Sequence, residues 1–193
     1  KFYTFSQERG EDFGSVWLAL TTAGHPVPPE RLNTLASGLL ALAAVGIPVL
    51  VWRPPMTPRV AQVMFLVVAA FLVTNKVYSP QYVIWLIPLA ALARPRWRGF
   101  LIWQTAEGTY FVAIWLYLAG LDAGAKGLPK QAYAVAILVH ILGTLWFSGL
   151  VIRDVLRPQR DPVRIDGAGV LDPLAGPLDH PGAVRPRIQG IAD

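Results

Sequence analysis

The chain has 193 residues, 54% of them hydrophobic and only 15% charged, a composition that excludes an ordinary soluble domain. It has no cysteine, which excludes disulfides, thiolate metal ligands and cysteine nucleophiles. The formal net charge of +5 sits largely in short arginine clusters at the ends of apolar runs, where arginine orients helices rather than marking a nucleic-acid surface.

Several windows reach the roughly 20 apolar residues that a helix needs to cross a hydrocarbon core. The reading is therefore an all-α, polytopic helical membrane protein with about five transmembrane helices plus a short interfacial helix. Residues 1–30 form an extracytoplasmic segment in which the apolar piece from Phe13 to Leu20 is too short to span and lies at the bilayer surface. Residues 31–152 form the transmembrane domain. Its first span runs from Asn33 to Trp52, stopped by Arg53 and two prolines. The second runs from Val60 to Thr74, and the third from Pro80 to Leu92, closed by Arg94, Arg96 and Arg98. The fourth is Phe100 to Leu118 and the fifth Ala132 to Val151. From Arg153 the chain is rich in proline, glycine and charge, so residues 153–193 are expected to be a largely disordered cytoplasmic tail. Lys1 is followed by no signal-peptide pattern, and the expectation is the downstream part of a longer protein.

Orientation follows from lysine and arginine in the short connections. The turns at Arg53 and Arg59, at Arg94 to Arg98, and the tail from Arg153 are basic, and they alternate with the Lys76 turn and the Asp122 to Lys130 loop. The basic side goes to the cytoplasm, so the N-terminal segment and the Lys76 turn face outward.

The stretch TNKVYSPQYVIWLIPL, Thr74 to Leu89, places polar residues between two membrane-grade runs. Spans two and three cover only about 20 to 22 Å each against a core of about 30 Å. With arginines anchoring their inner ends, the deficit falls on the outer side and sinks the turn below the membrane surface. Irregular backbone at that depth must be buried in protein or line a cavity, and short or interrupted helices point to a binding site. The plainer alternative is a hairpin with interfacial tyrosines and local thinning. A lysine ammonium suits a phosphate, and Gln81 with the Tyr78 and Tyr82 hydroxyls suits phosphate or sugar oxygens. Gln81 and Trp85 share a helical face, and Pro88 kinks the span. A polyprenyl phosphate, its head at headgroup level and its tail in lipid, fits such a place.

Glu107 is an acid inside the fourth span and by default a functional candidate; the competing reading is a neutral interhelical hydrogen-bond partner near Gln104. His140 in the fifth span is a possible partner, at depths that differ by about 7 Å. Arg9, Glu11 and Asp12 line the entrance or form a solvated cluster. The three histidines and the acids show no metal-ligand spacing, and neither a phosphate-cradling glycine loop nor a dinucleotide fingerprint occurs, so no metal and no cofactor is expected.

The string NKVYSPQYVIWLIPL resembles the downstream motif of polyprenyl-phosphate-sugar-dependent membrane glycosyltransferases, above all the actinobacterial members of glycosyltransferase family 87. A related pattern occurs in the mannosyltransferases of glycosylphosphatidylinositol anchor synthesis, and FSQERGEDFGSVWLAL is similar to an extracytoplasmic segment of the bacterial family. The alanine, arginine and proline bias is that of a GC-rich bacterial genome. The resemblance runs from Phe2 to about Arg153. It implies a GT-C type fold, an outward-facing site and transfer of a sugar, often mannose, from a polyprenyl phosphate with inversion. It further implies Lys76, Tyr78, Ser79, Gln81 and Tyr82 as donor phosphate and sugar contacts, with Arg9, Asp12, Trp85 and Glu107 lining the site. Nothing in this chain matches the loop that carries the family's catalytic acid, so the general base is expected upstream. The partners expected are the donor, a lipid or glycan acceptor and membrane lipids, and not nucleic acid. The alternative function is a non-catalytic membrane protein, a lipid-carrier transporter or a scaffold subunit.

Overall fold

The structure, a computed structural model, describes residues 10–54, 56–122 and 127–166. Every regular element among the described residues is helical. They are α1 (Val16–Thr22), α2 (Pro29–Trp52), α3 (Val60–Thr74), α4 (Val83–Ala93), α5 (Trp97–Asp122), α6 (Lys130–Leu156) and α7 (Pro162–Asp166). Single 3-10 turns at Pro80–Tyr82 and Pro158–Arg160 lead into α4 and α7.

Local chemistry sets the boundaries. Ser15 caps α1, its Oγ accepting from Leu18 N at 3.2 Å. Pro29 occupies the first turn of α2, where a missing N–H costs nothing. The Arg59 N–H donates to Gln62 Oε1 at 3.0 Å at the start of α3. The helices coincide with the five expected apolar runs, but their properties differ. Among the described residues only α2 and α6 are both long and apolar enough to cross a membrane. At 1.5 Å per residue α3 and α4 measure about 22 and 16 Å. α5 has the length, but Arg98, Gln104, Thr105, Glu107 and Thr109 interrupt its apolarity.

The hub is α6, which packs against α5, α3 and α1 and more lightly against α2, while α4 lies on α3. Gly143 lets α6 close on Ala106 of α5, the small-residue contact by which helices approach when lipid removes any hydrophobic difference between inside and outside. Phe65, Trp103 and Phe147 form the aromatic centre, with ring centroids 5.2 to 6.2 Å apart. Leu42, Val45, Ile84, Phe111, Trp115 and Leu142 are exposed on the outside, an apolar surface of the kind lipid covers. α1 buries Trp17 and Ala19 against its neighbours.

The arginine turns gather at one end of the bundle, and two of their charges are taken up inside it. Arg59 is fully buried; its Nε donates to Asp161 Oδ2 at 2.8 Å, and its Nη atoms donate to the Leu92 and Ala93 carbonyls that end α4. Arg94 pairs with buried Asp154 at 2.8 Å, and Arg153 holds the other Asp154 oxygen at 2.7 Å. Arg53, Arg96 and Arg98 remain exposed. The expected tail therefore begins later than Arg153: α6 continues to Leu156, and residues 157–166 fold back so that Asp161 reaches Arg59. The rest of that tail lies outside the described residues.

Replacing Arg59 by Met leaves Asp161 with the longer Arg164 contact at 3.5 Å and the Gln62 bond at 3.2 Å as its side-chain partners, and is expected to destabilise the bundle by about 3 kcal/mol, the lower end for breaking a buried pair. The double variant Arg59→Met with Asp161→Leu is expected to recover most of that loss. Thermal unfolding of the detergent-solubilised protein, read by circular dichroism, checks both.

Candidate functional site

At the opposite end, α3 stops at Thr74 and the backbone turns extended at Asn75. Asn75 Oδ1 accepts from the Lys76 N–H at 2.7 Å. Residues 12–14 pair with this turn through the backbone: Asp12 N donates to the Lys76 carbonyl at 2.9 Å and Tyr78 N to the Phe13 carbonyl at 3.1 Å. Trp17 Nε1 adds a longer bond to the Thr74 carbonyl at 3.4 Å. Gly14 makes the pairing possible. Its φ is +75°, and a Cβ there would run into the Tyr78 carbonyl and the Tyr110 ring.

Lys76 is 8% exposed, and its Nζ donates to Asn33 Oδ1 of α2 at 2.7 Å. Both residues line a cleft of about 160 Å³ with Ser37, Thr74 and Asn75. Leu40 also lines an adjacent apolar groove of about 530 Å³ between α2 and α3 that includes Val51, Trp52 and Val63. Thr74 also lines a second apolar groove of about 460 Å³, walled by α2, α3 and α6. Both grooves are lined almost wholly by apolar side chains.

The other expected site residues are dispersed. Tyr78 turns its hydroxyl inward, 3.3 Å from Thr144 Oγ1 and 3.5 Å from Glu107 Oε1. Burial first, and then the nearby Glu107 charge, push that hydroxyl well above the usual tyrosine range. Ser79 begins the 3-10 turn, its carbonyl accepting from Tyr82 N at 3.0 Å. Gln81 is exposed, and Tyr82 stacks on half-exposed Trp85 at 4.9 Å; none of these three lines the Lys76 cleft. Asp12 adjoins Lys76 along the backbone pairing, and Glu11 Oε1 accepts from Thr21 at 3.0 Å. Arg9 lies outside the described residues.

Glu107 and His140 meet in the core despite the depth difference expected from helical rise, with His140 Nδ1 3.4 Å from Glu107 Oε2. Glu107 Oε1 accepts from Thr144 Oγ1 at 2.8 Å and from Trp103 Nε1 at 3.1 Å. Gln104, the neighbour expected for Glu107, takes no part in this network, and its Nε2 finds no hydrogen-bond partner. Asn33, Ser37, Thr144 and Gly14 escaped the sequence reading. The available signal was weak: Asn33 and Ser37 are polar positions one turn apart at the start of an otherwise apolar run. Among the described residues no group of three metal-ligating side chains converges.

Comparison with family models, with curated proteins and with solved structures yields no match to this chain.

Gly14→Ala is expected to lift residues 10–22 off the turn, because strain at positive φ adds about 1 kcal/mol to a steric collision. Gly24→Ala, also at positive φ but facing open space, is expected to leave the segment docked. Faster limited proteolysis within residues 10–22 of the Gly14 variant alone is the expected result.

Proposed function

We propose that this chain forms the donor side of a membrane glycosyltransferase that takes a sugar, mannose being the choice the motif favours, from a polyprenyl phosphate. Lys76 meets the carrier phosphate, and the isoprenoid tail lies in an apolar groove along α2. The observation that carries the reading is the buried Lys76 side chain in a half-polar cleft that adjoins apolar grooves along α2. Asn33, Ser37, Thr74 and Asn75 supply neutral hydrogen bonds to phosphate oxygens. In this reading all five helices from α2 to α6 cross or enter the bilayer. α3 and α4, too short to span alone, leave the Lys76 turn below the outer surface. The exposed Arg53, Arg96 and Arg98 put the other end in the cytoplasm, so transfer takes place on the extracytoplasmic face.

Chemically, Lys76 stabilises the negative charge that develops on the carrier phosphate as the glycosidic bond breaks. An acceptor hydroxyl on a lipid or glycan attacks the anomeric carbon and gives its proton to a general base. Glu107 is not that base. Its Oε1 is engaged by Thr144 and Trp103, its Oε2 faces His140, and the residue is buried in the core. The base is a carboxylate elsewhere in the protein, as the resemblance implies.

A second reading has one observation behind it. Tyr78, Trp103, Glu107, His140 and Thr144 couple polar groups across the turn, α5 and α6, which is the pattern of a lipid-carrier transporter. Both readings place the phosphate at Lys76 and differ in whether a glycosidic bond is broken.

Lys76→Met in the intact protein, reconstituted in liposomes with a labelled polyprenyl-phosphate sugar, is expected to lower sugar transfer by about 100-fold, the order typical of losing one charge-stabilising donor. Transfer at the wild-type rate would overturn the assignment. Carrier movement across the bilayer without transfer, abolished by the same substitution, would favour the transporter.

A further inference from the structure

Where α4 turns into α5, at the end of the bundle away from Lys76, a pocket of about 200 Å³ is lined by Ala91, Arg94, Pro95, Arg96, Trp97 and Phe100. One side of it is apolar. Trp97 is 76% exposed and meets Phe100 edge-on at 6.2 Å. Leu101, one turn on from Trp97, is also exposed and continues the apolar surface along α5.

The other side carries charge that the protein does not balance. Arg94 is buried and its Nε donates to Asp154 Oδ2 at 2.8 Å, but Arg153 takes the other Asp154 oxygen at 2.7 Å. One carboxylate therefore serves two guanidiniums, and the trio keeps a positive charge. Among the described residues neither Nη group of Arg94 makes a hydrogen bond. Gly99, in the first turn of α5, leaves room for this guanidinium, since a Cβ there would stand 3.0 Å from Arg94 Nη1. Arg96 is exposed beside it. At the same end Arg53, Arg98, Arg157 and Arg160 are exposed, whereas Asp154 and Asp161 are buried and already paired. Cations left over after their acids are consumed inside set up a positive field that draws an anion to the pocket.

We propose that this pocket is a lipid site distinct from the Lys76 cleft, in which the phosphate of an anionic phospholipid sits between Arg94 and Arg96 and an acyl chain leaves over Trp97, Phe100 and Leu101. Guanidinium groups suit phosphate oxygens, and a basic pocket between helices at headgroup level is a place where anionic headgroups bind. A free phosphate would answer the arginines and leave Trp97 in water. A phospholipid supplies both halves, a charged head and a hydrocarbon chain, and tryptophan favours that boundary. The inference rests on the bundle crossing a bilayer and not on the reaction at Lys76.

Native mass spectrometry of the intact detergent-solubilised protein, titrated with dioleoyl phosphatidylglycerol or dioleoyl phosphatidylcholine, tests the site. It is run on the wild type and on Lys76→Met, which silences the cleft at the other end. In both, phosphatidylglycerol is expected to be held more tightly than phosphatidylcholine. Arg96→Gln is expected to weaken phosphatidylglycerol about fivefold, the worth of one arginine near an anionic headgroup, and to leave phosphatidylcholine unchanged. Arg96→Lys, which keeps the charge, is expected to retain most of the affinity. Arg160→Gln, which removes an exposed arginine outside the pocket, is expected to keep all of it, and glycerol 1-phosphate at matched concentration is expected not to displace the lipid. Equal retention of the two lipids, an unaltered affinity in Arg96→Gln, the same loss in Arg160→Gln, or displacement by glycerol 1-phosphate would each overturn the site. Selectivity that vanishes with Lys76→Met alone would belong to the Lys76 cleft and overturn it as well.

Discussion

A carboxylate enclosed in a helical bundle has no water to solvate it, and the arrangement of this protein follows from how Glu107 is supplied with partners instead. Thr144, Trp103 and Tyr78 donate toward one oxygen, and His140 faces the other. These groups come from α5, α6 and the turn after α3, so satisfying one acid fixes three pieces of chain relative to each other. An unsatisfied buried charge costs several kcal/mol, far more than the small packing differences available between apolar helices in lipid. Through His140 and Gly14 the same network reaches the N-terminal segment, which then covers the Lys76 turn from the other side.

The two ends of the bundle use their cations for different purposes. At the arginine end two of the charges are consumed internally: Arg59 and Arg94 are buried, bonded to Asp161 and Asp154, and Arg59 also closes the C-terminal carbonyls of α4. That end is locked. At the other end Lys76 donates to Asn33 and lines a small cleft with Asn75, Ser37 and Thr74, next to apolar grooves. Arginine's planar fork suits carboxylates and paired carbonyls, while the compact lysine ammonium suits a single phosphate head.

Much of this was legible in the sequence. Apolar runs bounded by proline and arginine marked five helices within a few residues, because hydropathy and the missing N–H of proline act locally. The motif around Lys76 stood out for the same reason: polar residues between two short apolar runs must be explained wherever they fall. What escaped was anything that depended on partners distant in sequence. Arg59 and Arg94 were counted as free charges because Asp161 and Asp154 lie 102 and 60 positions away. Glu107 and His140 stood apart when depth was reckoned from helix ends, and side-chain reach at the α5 and α6 contact closed the gap.

By itself the sequence determined the class of element, the helix limits and the presence of a cation in a polar turn between two short apolar runs, since each is set by neighbours along the chain. Only the tertiary structure decided which polar groups line the Lys76 cleft and which are spent on the core. Tyr78 was turned inward, Asn33 and Ser37 were added beside Lys76, and Gly14 became a contact point. Those outcomes depend on the orientation of side chains at helix contacts, where hydrogen-bond satisfaction without water selects one arrangement among many that the pattern of residues permits.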